Sequence, residues 1–180
     1  MIPSAERALH LVHKTDGRLD DEIHFVAVEA VQIPEPCRRL LVHDRDMTPT
    51  LAAYFGQQIV LDCLSVRREA DDLYRQVLLR TEGDGTAAEW GAIRIALGRL
   101  PAAARDQVLH SAVPLGGILQ LEEVRHTCRP EAYLRMDGNA TIRELFGADP
   151  DDRLHGRHSI LYDATGALLA EAVEVLPPLR

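Results

Sequence analysis

Arginine and glutamate are the residues of this sequence best placed to do chemistry. Arg75 stands in the run Leu73-Tyr74-Arg75-Gln76-Val77-Leu78-Leu79. Alternate residues of a strand share a face, so its guanidinium lies beside Leu73, Val77 and Leu79 on an apolar one. A buried, unpaired guanidinium is costly. Arg75 therefore needs an anionic partner: a bound carboxylate, which a planar fork grips with two hydrogen bonds, or a neighbouring glutamate, unless it sits exposed at a sheet edge. Arg94, in Gly91-Ala92-Ile93-Arg94-Ile95, and Arg157, after Gly156, are further candidates for carboxylate contacts. Arg157 also suits a structural role, tying the start of a strand to a flap. Glu171 and Glu174 stand three apart in the segment E-A-V-E-V-L-P-P. They must lie on opposite faces of a strand, so only one points inward.

Other chemistries find less support. His10 and His13 are helix-spaced, and His155 and His158 flank Gly156-Arg157, but neither pair has a third ligand nearby and no H-E-x-x-H occurs. No metal is expected. Cys37, Cys63 and Cys128 are far apart and odd in number, which argues against a disulfide framework and for thiols packed as small hydrophobes. There is no P-loop, no G-x-G-x-x-G and no G-x-S-x-G, so neither a nucleotide cofactor nor serine hydrolysis is indicated. The expectation is no cofactor.

The chain of 180 residues suits one domain, is 46% hydrophobic and 27% charged, and has only 4% aromatic residues. Leucine, valine, isoleucine and alanine must therefore supply most of the core. Its net charge of −8 repels nucleic acid and anionic membranes, and no basic block offsets it. Of the 20 basic residues only Lys14 is lysine. No apolar run approaches the roughly 18 residues of a membrane span, and the first residues lack the pattern of a signal peptide. A cytoplasmic protein with a small-molecule partner, and with neither nucleic acid nor membrane, is expected; oligomeric state is open.

The elements that must position these side chains follow from pattern. Residues 1–33 form an extension of uncertain structure, with Ile23, Phe25, Ala27 and Val31 hinting at a strand or extended cover. Pro36 opens a short helix whose Cys37, Leu40 and Leu41 share a face. Asp46-Met47-Thr48-Pro49 starts another, with Thr48 as the cap, Pro49 in the first turn, and Gly56 as the stop. Strands are predicted over 59–66, 73–79 and 88–97, with a turn at 82–85. Helices open at Pro101 and Pro114. A strand over 124–136, broken near Pro130, precedes a short helix ending at Gly147. Two last strands, 157–162 and 167–176, flank the turn 163–166. Strands in runs with helices grouped between them give an α+β fold: an antiparallel sheet of about six strands under short helical flaps.

In order, the pieces Leu40-Leu41, Asp46-Met47-Thr48, Leu73 to Leu79, Pro114-Leu115-Gly116, Leu145-Phe146, Gly156-Arg157 and Glu171 to Pro178 resemble the chorismate lyase family, collinearly over about residues 36–178. The resemblance implies a buried pocket on one face of the sheet and a cofactor-independent lyase that eliminates pyruvate from chorismate to leave 4-hydroxybenzoate. It implies Arg75 as the substrate-carboxylate arginine and Glu174 as the catalytic proton carrier. Arg94, Arg157 and Glu171 become further substrate contacts. Met47 and Thr48 form the lid, and Leu115 and Gly116 the opposing flap, where a helix start offers N–H groups to an anion. The family's single glutamate stands where this chain has two, one residue out of step with Glu174. Two other functions fit the same fold: an isomerase or cyclase of secondary metabolism, and a non-catalytic ligand-binding module like those of bacterial regulators. Residues 1–35 are too short and too acidic for a helix-turn-helix, which counts against the last.

Overall fold

The structure is a computed structural model that describes residues 4–15 and 23–179; residues 1–3, 16–22 and 180 lie outside the described residues. In chain order the elements are α1 (Ser4–Lys14), β1 (Ile23–Val28), α2 (Cys37–Leu41), α3 (Met47–Phe55), β2 (Ile59–Glu69), β3 (Asp72–Thr81), β4 (Ala87–Ala96), α4 (Ala102–His110), α5 (Leu115–Leu121), β5 (His126–Gly138), α6 (Ala140–Phe146), β6 (Leu154–Asp163) and β7 (Leu168–Leu176). The fold is α+β.

One sheet takes all the strands in the order β1-β5-β6-β7-β4-β3-β2, and every neighbouring pair is antiparallel. Among the described residues it has seven strands, not six. The additional one is β1, an edge strand built from Ile23, Phe25 and their neighbours in the segment read only as a hint. Val31 is not part of it; it lies in a one-turn 3-10 helix and is 78% exposed. The N-terminal helix α1 was also not foreseen, although Ala8, Leu11 and Val12 make a buried stripe at helical spacing.

Local signals account for most boundaries. Gly56 and Gly147 end α3 and α6 in the left-handed conformation, which glycine adopts without a Cβ penalty. Asn139 caps α6, its side chain accepting from the Ile142 N–H at 2.9 Å. The cap of α3 is Asp46, in extended conformation, rather than Thr48, which stands inside the first turn with Pro49. Pro130 falls where the β5–β6 register slips, as a residue without an N–H must.

The sheet buries both faces. One face presents Leu78, Trp90, Val173, Val175 and Met136 to α1 and α6. The other packs two groups of helices, with Leu73, Ile95 and Ala170 under α4 and α5 and Leu61, Val77 and Leu79 under α2 and α3. The site lies in the seam between those two groups. Among the described residues no helix is long and apolar enough to cross a membrane.

Candidate functional site

The seam encloses about 60 Å³ of space in which the centre of a water molecule fits. At roughly 10–15 Å³ per water by that measure, it has room for about four to six waters. Its walls are mostly aliphatic and include Leu61, Val77, Leu79, Ile93, Leu161 and Ala172. Five charged residues also line it: Asp46, which is paired with His126, and Arg75, Glu89, Arg157 and Glu174.

Arg75 sits at mid-strand opposite Ile93 and is 4% exposed. One terminal nitrogen reaches the Val108 carbonyl at 3.4 Å, a long contact. Its Nε has no partner, and among the described residues no carboxylate pairs with it. Burial pulls its pKa below the ordinary arginine value. The sequence demanded an anionic partner for this guanidinium, and the described residues do not supply one.

Arg157 is the contrast. It is fully buried, and its Nε donates to Glu174 Oε2 at 2.6 Å. Its terminal nitrogens donate to the carbonyls of His43 and Arg45, both at 3.0 Å, and of Leu41 at 3.4 Å. Burial disfavours its charge, but the Glu174 carboxylate more than compensates, and its pKa stands above the ordinary value. Arg157 thus ties β6 to the loop that leads into α3. The close approach of β6 and β7 here requires Gly156, since a Cβ would run into the Glu174 carbonyl. Glu174 is accordingly committed to an ion pair.

Glu89 is the residue that sequence reasoning missed. It lies on β4, is 4% exposed, and its Oε2 has no partner among the described residues. Its other oxygen leans over Gly91 and would stand 3.4 Å from a Cβ there, in ordinary contact. Burial drives its pKa well above the usual carboxylate range; the nearby Glu174 adds to this, and Arg157 offsets only part. Shared strand parity with Gly91 and Ile93 was the available signal.

Two helix starts close the cavity. Met47 and Thr48 of α3 meet Leu115 and Gly116 of α5. A Cβ on Gly116 would stand 3.1 Å from the Thr48 hydroxyl. Beside them His126 Nε2 meets Asp46 Oδ2 at 2.9 Å, while its Nδ1 lies 2.8 Å from the Val124 carbonyl. The Asp46 hydrogen bond raises the His126 pKa against the effect of burial.

The structure thus brings Arg75, Glu174, Arg157, Met47, Thr48, Leu115 and Gly116 around one cavity. Arg94 and Glu171 are not there. Arg94 shares strand parity with Trp90 and Ala92, and Glu171 with Val173, so both point to the opposite face. Arg94 pairs with Asp72 at 2.8 Å. Glu171 pairs with His158 at 2.8 Å and Arg7 at 3.5 Å. Burial would raise the Glu171 pKa, but the His158 hydrogen bond and the nearby positive charges lower it overall. Cys128 lines the cavity as a buried thiol, its pKa pushed to about 11 by desolvation, whereas Cys63 is exposed. Among the described residues, no three histidine, cysteine, aspartate or glutamate side chains are grouped to hold a metal ion.

No family model and no curated protein matches the chain. Solved structures do. PhnF from Mycobacterium smegmatis aligns with TM-score 0.55 and 14% identity over 76% of this chain and 65% of that one. Its effector domain alone aligns with TM-score 0.54 and 13% identity over 74% of this chain and 89% of the domain. A structure from Bordetella bronchiseptica, described as the ligand-binding domain of a GntR-family transcriptional regulator, aligns at TM-score 0.46 and 14% identity over 67% of this chain and 85% of that one. At that score it carries no weight of its own. The chain therefore spans about two thirds of full-length PhnF, and nearly all of its effector domain. The fold is the one seen in the PhnF effector domain, a chorismate lyase-like fold.

These likenesses correct the functional expectation. They lead to an effector domain and to no enzyme, so the reading as a lyase forming 4-hydroxybenzoate and pyruvate from chorismate does not stand. Nor does the exclusion of nucleic acid. A net charge of −8 describes the surface of this chain. The PhnF effector domain is one part of the longer PhnF chain, so the surface charge of a domain of this fold does not by itself exclude nucleic acid.

Proposed function

We propose that this chain is a non-catalytic small-molecule-binding module, an effector domain that senses a small organic anion and acts together with a DNA-binding element. One observation carries the reading: Arg75, buried beside a mainly aliphatic cavity, has no carboxylate partner among the described residues. A guanidinium left so is expensive to keep, and a ligand carboxylate would repay it with a bidentate, charge-assisted pair. Glu174, bonded to Arg157, serves the scaffold. Arg157 holds the loop before α3, and Met47, Thr48, Leu115 and Gly116 form the two jaws over the ligand. Likeness to the PhnF effector domain supports the same reading at the level of fold.

Calorimetric titration with a panel of short carboxylic acids tests it. Wild-type protein should bind at least one acid. Saturation at about one hundred times Kd should stabilise the fold by roughly 2.7 kcal/mol. Arg75→Gln should weaken that binding by tenfold or more. Equal binding by the variant would overturn the assignment of Arg75.

A further inference from the structure

Resting on the reading of Arg75 as the anchor, we infer that Glu89 is the second recognition element of the cavity: a carboxylic acid that donates a hydrogen bond to an uncharged acceptor, which makes the ligand a monoanion with a carbonyl or similar oxygen at its far end.

Glu89 and Arg75 project from adjacent strands onto the same face and both line the hollow. Arg75 stands level with Ile93, and the Glu89 carboxyl leans over Gly91, two residues along β4. Two residues of strand span about 7 Å. The groups are thus far enough apart to hold the two ends of one short molecule.

The charge balance decides what the far end is. Glu174, on β7 opposite Gly91, already carries the negative charge there, and the guanidinium that neutralises it is ion-paired to it. Arg157 gives three further hydrogen bonds, to the carbonyls of Leu41, His43 and Arg45. A second ionised carboxylate at Glu89 would have no cation of its own, and burying one uncompensated is among the costliest arrangements a protein can adopt. Glu89 is therefore a proton-bearing acid, as its displaced pKa also indicates. Its Oε2 has no acceptor among the described residues, and a buried donor left unmade is costly until a ligand supplies one. Selectivity follows. A dianion would bring its second charge against Glu174 without a counterion. A purely aliphatic acid would leave the donor unsatisfied. A hydrogen-bonding site of this kind rejects the analogue that lacks the bond.

Four probes of similar size separate the cases by titration at pH 7: 4-oxopentanoate, pentanoate, succinate and 4-aminobutanoate. The oxo acid should bind about tenfold tighter than pentanoate, and succinate and 4-aminobutanoate weaker than either. Glu89→Gln keeps a donor and should keep the preference for the oxo acid; Glu89→Leu should abolish it while leaving pentanoate bound. Tighter binding of 4-aminobutanoate would show that Glu89 receives a cation and overturn the inference. So would equal binding of oxo acid and pentanoate by wild-type protein, a comparison that needs no variant to fold; in that event Arg75 remains the anchor provided Arg75→Gln still weakens both. If none of the four binds, the small-carboxylate reading falls, and this inference with it.

Discussion

Across the sheet from Arg75, on the face that α1 and α6 cover, Arg94 pairs with Asp72, and Glu171 pairs with His158 and Arg7. Gln76 donates to the Thr15 hydroxyl at 2.9 Å. Among the described residues, two buried ring nitrogens, Trp90 Nε1 and His158 Nδ1, lack partners there, but no buried guanidinium or carboxyl does. The cavity face holds groups of the same kinds and leaves two of them open, Arg75 Nε and Glu89 Oε2. One sheet, with the same alternation on each strand, therefore carries a face built for stability and a face that keeps polar groups in reserve. A protein bears that second arrangement where binding repays it.

The largest effect that would break the comparison is expected from Trp90→Ala. Trp90 is completely buried on the packed face, so truncation should cost about 4 kcal/mol in urea unfolding. Acid binding by the fraction that remains folded should be little changed. Next comes pH. The unfolded Glu89 ionises near its ordinary value of 4.5, whereas the folded one holds its proton well above that. The native state then binds more protons than the unfolded one, so stability falls as pH rises above about 4.5, by up to about 1.4 kcal/mol per unit, until the folded group ionises. Glu89→Gln should flatten that slope, measured as unfolding midpoints between pH 5 and 8. The smallest effect has the opposite sign. Arg75→Leu, beside Leu73, Val77 and Leu79, should stabilise the fold by about 1 kcal/mol while abolishing anion binding. If it destabilises instead, Arg75 is satisfied within the fold and the two faces are not built on different terms.

The strand alternation around Arg75 was legible because Leu73, Val77 and Leu79 mark one face unambiguously. Glu89 was not. Most of β4 from Ala88 to Ile95 is buried on both faces, so apolar pattern gives no contrast by which to sort its residues, and a lone glutamate reads as an edge or a surface position. The same ambiguity placed Arg94 wrongly. Parity alone would have separated it from Glu89, Gly91 and Ile93. In β1 the buried Ile23 is followed by mostly exposed positions, which hides an edge strand among loop-like residues. Asp46 and Thr48 are both good caps, and only the extended backbone at Asp46 decides between them. What the sequence could not carry at all is partnership across distance. His126 meets Asp46 from 80 residues away, and Arg157 meets the Leu41–Arg45 loop from more than 110.

That last attachment has a consequence for how a ligand comes and goes. The α3 jaw is fastened by directional bonds, with Arg157 riveting the loop behind it to β6 and His126 pinning Asp46 to the start of β5. The α5 jaw packs through Leu115, Ile118 and Leu119, and its directional bonds lie at its flanks, where Leu61 N–H donates to the Ala112 carbonyl at 3.0 Å and Gln107 donates to Glu122. On the proposed reading, the two jaws would therefore yield unequally: the α3 side is held by ion-assisted bonds to β5 and β6, and the side at Pro114–Gly116 is the one a ligand would displace with fewer such bonds to break.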